Sequence, residues 1–308
     1  MNCAFRGHLR AGRLAVEYIS AAMLQVLKVR FPYVVACLAL ALLAATGTAR
    51  AEIELVFGTY AADKPSAIVR EFRPFLAFLE KRMEETMAEE VTIRLSISKD
   101  YEGSIDDLAE GRVDFARFGP ASYVHAMEKN PQIDILAMES EKGEKRFKGV
   151  IAVHKDSNIQ RVEDLAGLSF AFGDELSTIG RYLSQAYLLD AGIHARDLHG
   201  YEYLGRHDLV GEAVGAGKFS AGALKESTFK DLVAKGVPIR ALVSFDNVTK
   251  PWLARAGLDK RVFEAIQQIM LSSQNEELVK RVSKTGFLFG TDADYDFIRQ
   301  SMIRSRDF

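Results

Sequence analysis

Three places in the chain end an apolar run with a small-residue turn and then present hydroxyl or imidazole groups. They are Phe118-Gly119-Pro120-Ala121-Ser122, Phe172-Gly173-Asp174-Glu175-Leu176-Ser177-Thr178 and Leu204-Gly205-Arg206-His207-Asp208. If each apolar run is a strand and each tail opens a helix, the turns carry free backbone N–H groups and the positive end of a helix dipole. Such ends hold an anion without needing a full positive charge. Ser122, Ser177, Thr178 and His207 then become candidate donors to an oxyanion. Ser and Thr also cap helices, and capping and ligand contact coexist at one position.

The same residues read poorly as a catalytic set. Ser177 lacks a G-x-S-x-G elbow. Asp208 adjoins His207 in sequence, and neighbours on a helix do not face each other. The chain holds no phosphate loop, no H-E-x-x-H and no G-x-G-x-x-G. The expectation is a binding protein and not an enzyme, with no cofactor and no metal.

The elements around these turns alternate. Residues 53–58, 91–98, 113–118, 133–138, 147–154, 168–172, 201–204, 220–224 and 239–245 read as strands, by apolar runs or period-two alternation. Between them, residues 65–87, 104–110, 121–129, 178–191, 208–216 and 229–234 read as helices. Two further helices, 260–272 and 276–284, follow at the end. This β–α order predicts an α/β protein with mainly parallel sheets flanked by helices, and ligands of such sheets bind beyond the carboxyl ends of the strands.

The first fifty residues differ from the rest. Residues 31–45 are apolar and end in Thr46-Gly47-Thr48-Ala49-Arg50-Ala51, an A-x-A cleavage pattern that makes Glu52 the first mature residue. The run falls short of the roughly 20 residues a spanning helix needs. Met23 is a candidate start, with residues 1–22 an upstream extension. Cys3 and Cys37 both precede Glu52, so disulfides, a thiol nucleophile and a Cys-ligated zinc are excluded from the mature chain. Val34-Val35-Ala36-Cys37 resembles a lipoprotein box but sits too early in the run to serve as an anchor.

Residues 1–51 carry six of the 40 Lys and Arg and one of the 42 Asp and Glu, which leaves 34 against 41 and a net charge of −7. That balance excludes a nucleic-acid footprint. An anion site must therefore be local, since the global field repels anions.

With these residues in hand, a family resemblance emerges. Residues 52 to about 290 resemble the phosphate/phosphite/phosphonate-binding components of ABC transporters. The resemblance is carried by Asp100-Tyr101-Glu102-Gly103, the stretch 113–123, Ser177-Thr178-x-Gly180, Arg206-His207-Asp208 and Ala221-Gly222-Ala223-Leu224. It implies the two-lobed type II periplasmic-binding-protein fold, with lobe 1 at 52–149 plus 248–308 and lobe 2 at 150–247. It implies a small oxyanion in the cleft, contacted by Tyr60, Tyr101, Ser122, Ser177, Thr178 and His207. It also implies a periplasmic location and an ABC permease in the inner membrane as partner. A rival reading has the same lobes report the oxyanion to a sensor kinase. Family members that bind aminophosphonates carry an acidic residue near the second crossing; here Thr249-Lys250-Pro251 stands there, which points away from aminoethylphosphonate. Arg117, Arg181 and Arg206 lie beside the expected donors, with surface exposure as their default role.

Overall fold

A computed structural model describes residues 52–273 and 276–308. The export signal, the upstream extension and the Cys37 box lie outside the described residues.

In chain order the elements are β1 (Glu52–Tyr60), α1 (Pro65–Met87), β2 (Glu90–Ser98), α2 (Tyr101–Ala109), β3 (Phe115–Arg117), α3 (Pro120–Lys129), β4 (Asp134–Glu139), β5 (Arg146–His154) and β6 (Ser169–Phe172). A π-helical turn (Thr178–Leu183) runs into α4 (Ser184–Asp190). Then come β7 (Gly200–Tyr203), α5 (His207–Gly215), β8 (Ala221–Lys225), α6 (Glu226–Ala234), β9 (Ile239–Val248), β10 (Pro251–Ala254), α7 (Lys260–Ser272), α8 (Glu277–Val282), β11 (Phe287–Leu288) and α9 (Asp296–Arg304).

These elements form two sheets, ordered β11-β4-β10-β3-β1-β2 and β7-β6-β8-β5-β9. Both are mixed. β1 pairs in parallel with β2 and β3, and β6 with β7 and β8. β10 runs antiparallel between β3 and β4, and β5 antiparallel between β8 and β9. The mainly parallel expectation thus holds on one side of each sheet. It gives way where the chain passes between the sheets, because a returning segment enters in the opposite direction.

The first sheet's core follows from the α1 pattern. Phe72, Phe75, Leu76 and Leu79 recur at helical spacing and are fully buried. They meet Trp252 of β10, whose indole stacks on Phe57 with centroids 4.9 Å apart and receives Phe75 and Phe287 edge-on at 5.2 and 5.7 Å. Burying such an aromatic cluster stabilises the lobe beyond its area alone. Sequence reading missed β10: Thr249-Lys250-Pro251 looks like a break, yet Pro251 opens the strand, a position proline tolerates. It also missed α9. Tyr295, just before that helix, packs on Tyr123 of α3 at 4.7 Å. Phe308, beyond it, packs edge-on against Phe172 of β6 at 5.6 Å. The chain's last residues therefore touch both sheets' layers, in addition to the first-lobe role the sequence suggested for them.

Candidate functional site

β1 ends on Tyr60, whose ring stacks on Tyr101, the first residue of α2, with centroids 3.7 Å apart. Asp100 starts α2 in that position because its side chain accepts the Gly103 N–H at 2.9 Å. β3 leads into Gly119 and Pro120; the proline fixes φ at the first helical position of α3. The Gly119 N–H donates to the Tyr60 phenol oxygen at 2.6 Å, and that oxygen lies 3.1 Å from Ser122 Oγ. A Cβ on Gly119 would stand 2.9 Å from the phenol oxygen and 3.5 Å from Thr178 Oγ1, so only glycine allows the three to converge.

The second sheet supplies the other side. Ser177 accepts the Gly180 N–H at 3.0 Å and so starts the π-helical turn after β6. Such turns are rare and concentrate at functional sites. Gly180 packs on Gly173, where a Cβ would come within 2.7 Å of the opposing Cα, and this close approach brings the turn against the strand end. From there Thr178 Oγ1 accepts the Ala121 N–H of α3 at 2.8 Å. The His207 N–H, opening α5, donates to the Ala62 carbonyl at 3.2 Å. Lys225 pairs with Asp63, which also accepts from Thr228 Oγ1 at 3.1 Å. These three links join the two sheets' layers across the cleft.

Between them lies a cavity of about 40 Å³, room for roughly three waters. Tyr60, Tyr101, Ser177, Thr178 and His207 line it, together with Gly119 and Pro120. Ser122 does not line it; it stands behind Tyr60 and holds that phenol. Arg117, Phe147, Lys225, Asn247 and Lys250 also line the cavity, with Ala62 and Ile179 closing the wall. Of these, the sequence singles out Arg117 beside the expected donors and Lys250 where family members that bind aminophosphonates carry an acidic residue. It passes over Lys225 and Asn247, whose signal is only their place at the ends of β8 and β9. Arg206 is held by Asp208 at 2.7 Å, and Arg181 donates to the Glu175 carbonyl at 2.9 Å and lies over the Tyr182 ring. Neither arginine lines the cavity.

The cavity wall carries unspent hydrogen-bonding capacity. His207 Nδ1 and both amide atoms of Asn247 are buried and have no partner among the described residues. Buried polar atoms are almost always paired, and leaving one unpaired costs on the order of 1–3 kcal/mol. Burial drives His207 down to about 4, against the pull of Asp63, so the ring is neutral at neutral pH. Burial lifts Tyr60 to about 12 and Tyr101 well above the ordinary phenol value, which the Ser177 hydroxyl eases. Burial also opposes the charge of Arg117, but Glu139 at 2.6 Å and Glu71 at 3.8 Å outweigh it and hold the guanidinium firmly protonated. Lys250 is lowered to about 7, by burial first and then by Arg117 and Lys225. Neutral donors, a helix N-terminus and one underused cation around a small space suit a compact anion. Among the described residues no group of three His, Cys, Asp or Glu side chains could hold a metal ion, and no helix is long and apolar enough to cross a membrane.

Residues 57–295 match the family described as ABC transporter, phosphonate, periplasmic substrate-binding protein. The chain belongs to that family. It is 29% identical over 174 residues to a probable ABC transporter phosphite binding protein, PhnD1, of Prochlorococcus marinus, a match covering 52% of this chain and 58% of that protein. It is 24% identical over 270 residues to a phosphate-import protein, PhnD, of Mycolicibacterium smegmatis, covering 77% of this chain and 81% of that one. The solved structure of Prochlorococcus PhnD1 in complex with methylphosphonate superposes with a TM-score of 0.72 at 20% identity, over 83% of this chain and 99% of that one, which shows a shared fold.

Proposed function

We propose that this protein is the periplasmic solute-binding component of an ABC importer, and that it captures a small phosphorus oxyanion, phosphate, phosphite or a phosphonate, in the 40 Å³ cavity. The observation that carries this reading is the pair of buried, unpartnered groups on the cavity wall, His207 Nδ1 and the Asn247 amide. Tyr60, Tyr101, Ser177, Thr178 and His207 contact the oxyanion, and Ser122 acts through Tyr60. The phenols and the hydroxyls donate, with the α3 N-terminus adding only its dipole; neutral His207 donates from whichever ring nitrogen carries the proton. The two layers act as lobes, residues 52–149 with 248–308 and residues 150–247. The ligand favours the closed form, because only there do both lobes reach it. Exclusion of water then strengthens each bond to the charged ligand. The closed form docks on an inner-membrane permease. Homology to transport proteins, and the absence of a paired nucleophile and base around Ser177 among the described residues, both favour binding over turnover.

A thermal-shift screen against phosphate, phosphite, methylphosphonate, sulfate and small carboxylates tests this. Ligand at 100 times its dissociation constant adds about 2.7 kcal/mol of stability, several degrees in Tm. A shift with a phosphorus oxyanion supports the reading; none with any of them refutes it.

A further inference from the structure

The small cavity adjoins a groove of about 390 Å³, and Arg117, Phe147, Lys225 and Lys250 line both. A ligand whose head fills the cavity and whose side chain extends into the groove passes these four residues. Two of the three cations are already spent: Arg117 on Glu139 at 2.6 Å, and Lys225 on Asp63. Lys250 differs. It is half-buried, no carboxylate among the described residues lies within ion-pair reach of it, and its Nζ sits 5.4 Å from the Phe147 ring centre. Glu139 and Glu71 pull on it only from beyond ion-pair reach, and a cation held partly out of water without a close counter-charge is costly. The oxyanion head does not need this cation, since hydroxyls, phenols, His207 and Asn247 already surround it with donors. The surplus positive charge stands instead where the side chain leaves.

Resting on the function proposed above, we propose that the site selects phosphonates whose short side chain ends in a second anionic group, a carboxylate one or two carbons from phosphorus, with Lys250 as its counter-charge. The same charge disfavours an ammonium on that side chain, because like charges brought together in a poorly solvated place repel strongly. Selection is a difference of affinities, and one group here supplies both the attraction and the repulsion.

The test is calorimetric titration of the protein with phosphonoacetate, propylphosphonate and 2-aminoethylphosphonate, which share one head and carry a negative, neutral or positive side chain. We expect phosphonoacetate to bind at least about tenfold tighter than propylphosphonate, the scale of one charge-assisted contact, with aminoethylphosphonate weakest. In Lys250→Met, checked for folding by its thermal transition, the ratio of the first two affinities should fall to within about twofold. The wild-type series reads the preference even if the variant fails to fold. Equal affinities for phosphonoacetate and propylphosphonate overturn the inference. So does a preference that survives Lys250→Met, or a variant that weakens all three ligands alike, since Lys250 would then serve the head. In each of those cases binding of propylphosphonate leaves the oxyanion site standing. Failure of the wild-type protein to bind any phosphorus oxyanion overturns the proposed function and this inference with it.

Discussion

Thr178 Oγ1 accepts the Ala121 N–H at 2.8 Å, so a side chain beside the second sheet caps a helix that belongs to the first. An uncapped helix start wants an acceptor, and α3 has no side-chain cap of its own. Thr178 fills that role across the cleft, which leaves its own hydroxyl proton free to donate. Thr178→Val keeps the shape and removes the hydroxyl, which is both the acceptor for the Ala121 N–H and the proposed donor to the ligand. We expect oxyanion affinity to fall roughly 10- to 100-fold, the range of one lost bond to a charged group, with about 1 kcal/mol of stability lost. Titration calorimetry and chemical denaturation read the two effects; unchanged affinity in the folded variant would remove Thr178 from the site.

Binding of phosphonoacetate, whose carboxylate meets Lys250, should weaken as pH rises above neutrality. In the empty site Lys250 is lowered to about 7 by burial, Arg117 and Lys225, with Glu139 and Glu71 opposing. An anion beside it raises that value, so the bound state holds a proton that the free state loses. Affinity is therefore level below pH 7 and falls above it, by up to tenfold per pH unit, until the bound lysine also titrates. His207, neutral down to about pH 4, does not contribute in this window. The ligand's own titration is common to wild type and Lys250→Arg and cancels in the ratio of their affinities. That ratio should change above pH 7; a flat ratio would contradict the assignment.

Stability should drop on acidification through His207. Its value is 6.5 unfolded and about 4 folded, so below pH 6.5 the unfolded chain takes up a proton that the folded one does not. The folded state thus loses stability as pH falls from 6.5 to 4, by roughly 3 kcal/mol in total. His207→Gln should flatten this part of the stability–pH curve. A curve with the wild-type slope would show that the ring is protonated in the folded state.

Trp252→Ala tests β10 as a core strand. The side chain is fully buried among Phe57, Phe75 and Phe287. Removing an aromatic of this size costs about 3–5 kcal/mol. A loss under about 1 kcal/mol by denaturant titration would mean the strand is peripheral.

Much of this architecture was readable from the chain. The α1 helix over Pro65–Met87 and α7 over Lys260–Ser272 were legible because their apolar residues recur at helical spacing. The three strand–turn–helix junctions were legible because Gly119, Gly173 and Gly205 interrupt apolar runs before polar helix starts. β10 was hidden by its shortness and by Pro251. The site was half legible: donors local to those turns could be named, and five of the six named residues line the cavity. Asn247 and Lys225 could not, since they reach the cavity from strand ends far away in sequence and no short motif marks them. The layered role of Ser122, one residue removed from the cavity, depends on the Tyr60 contact and is visible only in three dimensions.

The most direct test of the central claim is titration calorimetry of the purified protein with methylphosphonate, phosphite and phosphate, repeated on the Ser177→Ala/Thr178→Ala double variant. The account predicts one-to-one binding of at least one of the three by the wild-type protein, and a loss of roughly 100-fold or more in the folded variant as two donors to a charged ligand disappear. Wild-type affinity retained in that variant, or no binding of any phosphorus oxyanion by the wild-type protein, would contradict it.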